Sequence, residues 1–253
     1  MVWGMSLPSG FGEFFPMGNF EAHIDSDDDE WGDRLKAYYK EKMSEEQKAL
    51  FDDGMGNGPG AYSYYVAQKF ISERGMVSGV GKPPFCPIEA HEPPRSFVTE
   101  KGYKSLGSLI MLNGRILAVD EALKTIIERL EPGEHEFSSI EVRMPRNKVY
   151  PSSYYTLFIG QYFDSFLPEK SKRESIRNHG PSYPNYYSLE QSKKGVTGLA
   201  LAKATFGSAH LWRERAFREW LICFSDELQA EIAEGGLRIP KHYQIKQITE
   251  TVS

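Results

Sequence analysis

Residues 109–144, LIMLNGRILAVDEALKTIIERLEPGEHEFSSIEVRM, carry the clearest structural signal in the chain. Ile110 to Val119 is apolar except around Asn113-Gly114, a dipeptide that marks a hairpin or turn. Asp120 then stands at an N-cap position with Glu121 just inside, and Ala122, Leu123, Ile126, Ile127 and Leu130 recur at the spacing of one helix face. Pro132-Gly133 ends that helix. Glu136 to Met144 reads as a strand, with Phe137, Ile140 and Val142 as its apolar positions.

Downstream, Tyr154 to Phe163 is rich in aromatic and β-branched residues and predicts one further strand. Residues 165–195 are polar, contain Pro168, Pro181 and Pro184, and read as a long loop. Val196 to Ala202 and Trp220 to Phe224 are short strand candidates. Ser225-Asp226 caps a helix to about Glu234, Gly235-Gly236 stops it, and Leu237 to Ile248 closes the chain in one or two strands.

Upstream, residues 1–24 look irregular or edge-like, and Asp25 to Glu30 is an acidic run. Trp31, Leu35, Tyr38, Tyr39, Met43 and Leu50 form a loose helical stripe over 31–51, and Ser44-Glu45-Glu46-Gln47 is a capping box that splits it into two helices near Met43. Gly54 to Gly60 is a break, 61–72 is ambiguous between strand and helix, and the prolines and glycines of 75–96 suggest a linker. Helices and strands interleave without regular βαβ spacing, which predicts an α+β fold: a mixed or antiparallel sheet with a few packed helices. Two regions are expected, an acidic helix-containing part over 1–95 and an α+β domain over 96–253.

The 253 residues are enough to bury a full core without staples, and 40% hydrophobic with 26% charged residues argues against global disorder. No apolar run approaches the roughly 20 residues of a membrane helix, and the opening MVWGMSLPSGFGEFF lacks the pattern of a secretory signal. Cys86 and Cys223 alone cannot make a disulfide framework and fit a reducing cytoplasm. The net charge of −5 divides unevenly, with 17 acids and 9 bases over residues 1–100 against 18 and 21 over 101–253. A nucleic-acid binder would show the opposite footprint. Acidic surface suits a basic protein partner, or simply keeps the chain soluble.

Catalytic and metal patterns are weak throughout. Asp25, Asp27 and Asp29 match the first calcium ligands of an EF-hand loop, but Glu30 and Lys36 stand where Gly and Glu are needed. None of the six histidines has zinc-ligand spacing, and no nucleophile elbow or phosphate-binding loop is present. No metal or cofactor is expected. Tyr183, Tyr186 and Tyr187 lie beside basic residues in the 165–195 segment, as aromatic anchors for a partner or as packing against a sheet.

One C-terminal series is distinctive: Ala209-His210-Leu211-Trp212-Arg213, then Cys223-Phe224-Ser225-Asp226-Glu227-Leu228, then Gly235-Gly236-Leu237-Arg238-Ile239. With Val119 to Lys124 and Glu131 to Phe137 upstream, it resembles the immunity-eleven family of bacterial polymorphic-toxin immunity proteins over roughly residues 100–250. The resemblance implies a cytoplasmic protein that neutralises a cognate toxin, of the kind delivered by type VI secretion, by stoichiometric binding and not by catalysis. Contact is expected from Asp25, Asp27, Asp28, Asp29 and Glu30 and from Tyr183, Tyr186 and Tyr187. His210, Leu211, Trp212, Arg213, Ser225 and Asp226 are expected to be scaffold, with Trp212 a buried anchor and Arg213 pairing a carboxylate such as Asp226 or capping loop carbonyls. Two alternatives stand beside this: a hydrolase using His210 or His135 with a nearby carboxylate, and a self-associating structural module. The oligomeric state is not legible.

Overall fold

The structure, a computed structural model, describes residues 1–22, 30–54, 57–71, 88–178, 187–190, 193–217 and 221–248. In chain order the elements are β1 (Val2–Ser6), β2 (Gly18–Phe20), α1 (Glu30–Glu41), α2 (Glu45–Gly54), α3 (Gly58–Ile71), β3 (Ser96–Thr99), β4 (Leu109–Met111), β5 (Leu117–Asp120) and α4 (Glu121–Leu130). They continue as β6 (Glu136–Met144), β7 (Lys148–Val149), β8 (Tyr154–Phe158), β9 (Tyr162–Phe163), β10 (Ile176–Asn178), β11 (Tyr187–Leu189) and α5 (Lys193–Thr197). The chain ends through β12 (Ala200–Ala202), α6 (Lys203–Phe206), β13 (Leu211–Glu214), β14 (Leu221–Ser225), α7 (Asp226–Glu234) and β15 (His242–Ile248). The fold is α+β.

Two sheets carry it. One runs β2-β3-β6-β8-β5-β4, with β7 paired to β6; the other runs β12-β15-β1-β14-β13-β9; β10 and β11 form a separate hairpin. Most neighbours are antiparallel, while β3–β6, β12–β15 and β9–β13 are parallel. Alternation of side chains along the strands supplies three apolar cores. In β14, Ile222 and Phe224 face a middle core shared with Leu117 and Leu157 of the other sheet, and Leu221 and Cys223 face outward. Helices α4 and α7 add Leu123, Ile127, Leu228 and Ile232 to the middle core. Helices α1 to α3 cover the far face of the first sheet through Trp31, Leu35, Tyr39, Tyr62, Val66 and Phe70.

The local rules that generate the helices act as the sequence indicates. Asp120 Oδ1 accepts from Leu123 N at 2.9 Å and Ser225 Oγ from Leu228 N at 3.1 Å. Ser44 and Gln47 form the reciprocal capping box at 3.1 and 2.9 Å, which separates α1 from α2. The described part of the ambiguous 61–72 segment, to Ile71, is helical, with Tyr62, Val66 and Phe70 buried four residues apart. Most of the 75–96 linker lies outside the described residues.

Three expectations are corrected. Residues 1–24 are not all irregular or edge-like: β2 is an edge strand, but β1 lies between β14 and β15 inside the second sheet. A Cβ on its Gly4 would sit 2.4 Å from the Ile245 side chain and 3.0 Å from that of Val196, so a larger residue there would have to displace both. Strands from before residue 95 pair with strands after it: β1 with β14 and β15, and β2 with β3. Tyr154 to Phe163 is two strands in different sheets, β8 and β9, with the chain crossing over at Gly160. Among the described residues of the 165–195 segment, β10 and β11 pair, and Phe166, Ile176, Tyr187 and Leu189 close the outer core over the second sheet, so the segment is not a loop throughout.

At the crossover, a Cβ on Gly160 would lie 2.0 Å from the Glu134 carbonyl oxygen, a backbone atom with no rotamer to yield. Gly160→Ala should therefore cost about 2 kcal/mol or more, at the upper end of overpacking substitutions. Urea denaturation checks this, with Gly102→Ala, which meets nothing within 4 Å, as the tolerated control.

Candidate functional site

The His210-Leu211-Trp212-Arg213 series enters β13 where the two sheets meet, and each of its side chains has a different task. His210 Nδ1 lies 2.8 Å from Ser225 Oγ, the hydroxyl that caps α7. Leu211 fills the middle core and Trp212 the outer core, where Phe206 stacks on the indole at 4.6 Å. Arg213 is 3% exposed and donates from Nη2 to the Phe70 carbonyl at 3.1 Å. That carbonyl belongs to the last turn of α3, where helix oxygens lack intrahelical donors and a cation is favourable. The expected Arg213–Asp226 pairing is not formed. Asp226 instead accepts from Trp3 Nε1 at 3.0 Å, binding α7 to β1.

Behind this series lies a buried polar joint that the sequence reading did not assemble. Glu131, the C-cap of α4, accepts from the His210 backbone N–H and from Gln161 Nε2, each at 2.6 Å, and its other oxygen lies 2.7 Å from His135 Nε2. His135 Nδ1 accepts from Gly160 N at 3.2 Å. That bond fixes the ring proton on Nε2, facing the carboxylate. Burial opposes charge on Glu131, but the donors from His135, His210 and Gln161 outweigh it and hold the carboxyl below its ordinary value. Glu131 thus contributes stability that is present above pH 4.5 and is lost as pH falls through its depressed value.

This joint brings His135, His210 and a carboxylate together, as the hydrolase alternative required. Its geometry serves structure: the His135 side chain is fully buried and both ring nitrogens are engaged. The signal for Glu131 was its place one residue before Pro132-Gly133 and four before His135, a spacing that lets the two side chains meet.

A second buried carboxylate sits at the end of β13. Glu214 accepts from Ser165 N at 3.1 Å and Ser165 Oγ at 2.6 Å. Burial pushes its carboxyl up to about 7, against the opposing effect of the Ser165 hydrogen bonds.

The expected contact residues divide. Asp25, Asp27, Asp28, Asp29, Tyr183 and Tyr186 lie outside the described residues. Glu30 is the first residue of α1, next to Trp31, whose indole donates to the Glu92 carbonyl at 2.8 Å. The acidic run therefore leads into a firmly seated helix. Arg34 reinforces it, bonding Glu21 and the Pro93 carbonyl at 2.8 Å, while the buried Lys69–Glu92 pair closes at 2.6 Å. Tyr187 is buried, its ring 5.1 Å from that of Phe166. It packs beneath the surface and offers no exposed face. Among the described residues no group of three metal-ligating side chains converges, and no helix is long and apolar enough to cross a membrane.

The family model described as the immunity protein family, Imm11, matches residues 22–246, and the chain belongs to that family. The match extends the resemblance into the helical region that the C-terminal series alone did not reach. No curated protein matches the chain.

Glu214 yields a pH prediction. Its folded value lies above the ordinary 4.5, so the folded chain holds an extra proton and loses stability as pH rises from about 4.5 toward 7. In Glu214→Gln, which keeps an acceptor for Ser165, that loss disappears. The variant should gain on the parent by up to about 3 kcal/mol between pH 5 and pH 8, read from urea midpoints across the range.

Proposed function

We propose that this chain neutralises a cognate bacterial toxin by forming a stoichiometric complex with it in the cytoplasm, without turnover. Membership of the immunity protein family carries the reading. The burial of Leu211, Trp212 and Arg213 agrees with it, since these residues are spent on joining sheets and helices, leaving recognition to the surface. The toxin would belong to a polymorphic system, with type VI secretion as one delivery route.

The acidic run from Asp25 to Glu30 supports contact with a basic toxin surface. Against a basic nuclease, its carboxylates would occupy the place of substrate phosphates and exclude the nucleic acid. Tyr183 and Tyr186 supply a second candidate contact, next in sequence to the buried Tyr187.

The direct test is recovery from the native bacterium with this chain as bait, read by mass spectrometry. One toxin at equal stoichiometry is the expected result, and a folded bait with an expressed but unbound toxin overturns the reading. With the toxin in hand, joint replacement of Asp27, Asp28 and Asp29 by Ala should slow association about tenfold at roughly 0.02 M salt, with the difference closing at high salt. An unchanged association rate removes the acidic run from the interface.

A further inference from the structure

We propose that the exposed basic cap formed by Lys170, Lys172, Arg173, Arg177, Lys193 and Lys194 is a docking surface for the toxin, and that the toxin face it meets is acidic. The inference rests on the toxin-neutralising reading above and names the chemistry of one part of that interface.

The backbone gathers these bases onto one surface. Lys172 N donates to the Gly198 carbonyl at 2.9 Å, and Ser175 Oγ donates to the Lys194 carbonyl at 3.4 Å, which places the 170–177 stretch against α5. Arg177 continues the surface onto the β10–β11 hairpin, opposite Ser188. All six side chains are exposed, and among the described residues none is paired with a carboxylate. Exposed bases without a carboxylate partner also occur elsewhere, as at Lys104 and Lys148; what sets the cap apart is that six of them share one surface. Residues 164–207 hold seven bases and four acids in a chain whose net charge is −5. The cap is thus a local reversal of the molecule's charge.

The platform under the charges is tightly built. A Cβ on Gly195 would meet the Glu190 carbonyl oxygen at 1.7 Å, and one on Gly198 would meet Ser175 Oγ at 2.0 Å. Val196, Leu199 and Leu189 pack beneath it into the outer core with Phe166 and Phe217. Charges held on a fixed platform lose less entropy on binding than charges on a loose loop. They also steer an oppositely charged partner at long range, which acts mainly on the association rate. The partner is a protein and not a nucleic acid because Glu169, Glu174 and Glu190 are exposed among the bases. Such a mosaic, basic on balance but with acids interspersed, complements a protein face that is acidic on balance and itself mixed, and is a poorer match to the uniform phosphates of a polynucleotide.

The test compares two full-length variants of equal charge change: Lys172→Glu with Lys194→Glu on the cap, and Lys104→Glu with Lys148→Glu at exposed sites elsewhere. Each is measured for association and dissociation with the recovered toxin. Circular dichroism verifies folding, and Lys172→Gln with Lys194→Gln provides a milder cap variant. The cap reversal should slow association at least about tenfold at roughly 0.02 M salt, leave dissociation within about twofold, and approach the parent at about 0.5 M. The remote reversal should stay within about twofold of the parent. If both reversals act alike while the complex still forms, the surface assignment fails and the immunity reading stands. If the parent binds no toxin, both fail together. If the cap variant instead loses affinity for a 20-base-pair duplex or for phosphatidylserine vesicles and associates normally with the toxin, the acidic-protein assignment is overturned.

Discussion

The two sheets are joined through one buried carboxylate. Glu131 ends α4, which packs on the first sheet, and it binds the first backbone N–H of the series that opens β13 in the second. Gln161 and His135 complete its shell from the crossover and from the turn after α4. A buried carboxylate without such donors would be strongly unfavourable, so the joint forms only when all three segments are correctly placed. Its position explains the close approach at Gly160, where the crossover chain must run against the Glu134 backbone to put His135 and Gln161 on either side of the carboxylate.

The same constraint gives the His210–Arg213 series its composition. His210 leads into β13, the two apolar residues that follow face opposite cores, and the polar ends of the run meet helix termini. His210 orients the hydroxyl that caps α7, and Arg213 supplies a cation to the open carbonyl end of α3. Leu211 and Trp212 fill the cores on opposite sides of the strand. Leu211, Trp212 and Arg213 are buried, so a change of partner at the surface leaves them undisturbed.

What the sequence made legible was local. Asp120 and Ser225 as caps, the Ser44–Gln47 box, the Pro132-Gly133 stop and the β14 strand all follow from rules that act within a few residues, and the structure places them accordingly. What it hid depends on partners distant in the chain. β1 is short, contains Gly4, and becomes a strand only because β14 and β15 lie on both sides of it. The switch of sheets at Gly160 carries no periodicity signal, since both flanking strands are aromatic. Arg213 was open to several carboxylates and carbonyls by sequence, and its donation to Phe70 depends on a helix that starts far upstream. The expected contact residues were the least legible, because acids and tyrosines serve a solvated surface as readily as an interface.

Interior and surface charge follow opposite rules here. Inside, Glu131 is saturated by donors, Lys69 and Glu92 pair with each other, and Glu214 is pushed toward its neutral form. Each of these groups is engaged by neighbouring side chains. At the surface, the net charge of −5 averages an acidic N-terminal half with a basic cap, and the average describes neither. A partner within a Debye length responds to the local face and not to the sum. The exposed charge of the described surface is therefore set by where the fold places its bases and acids and not by the chain's total.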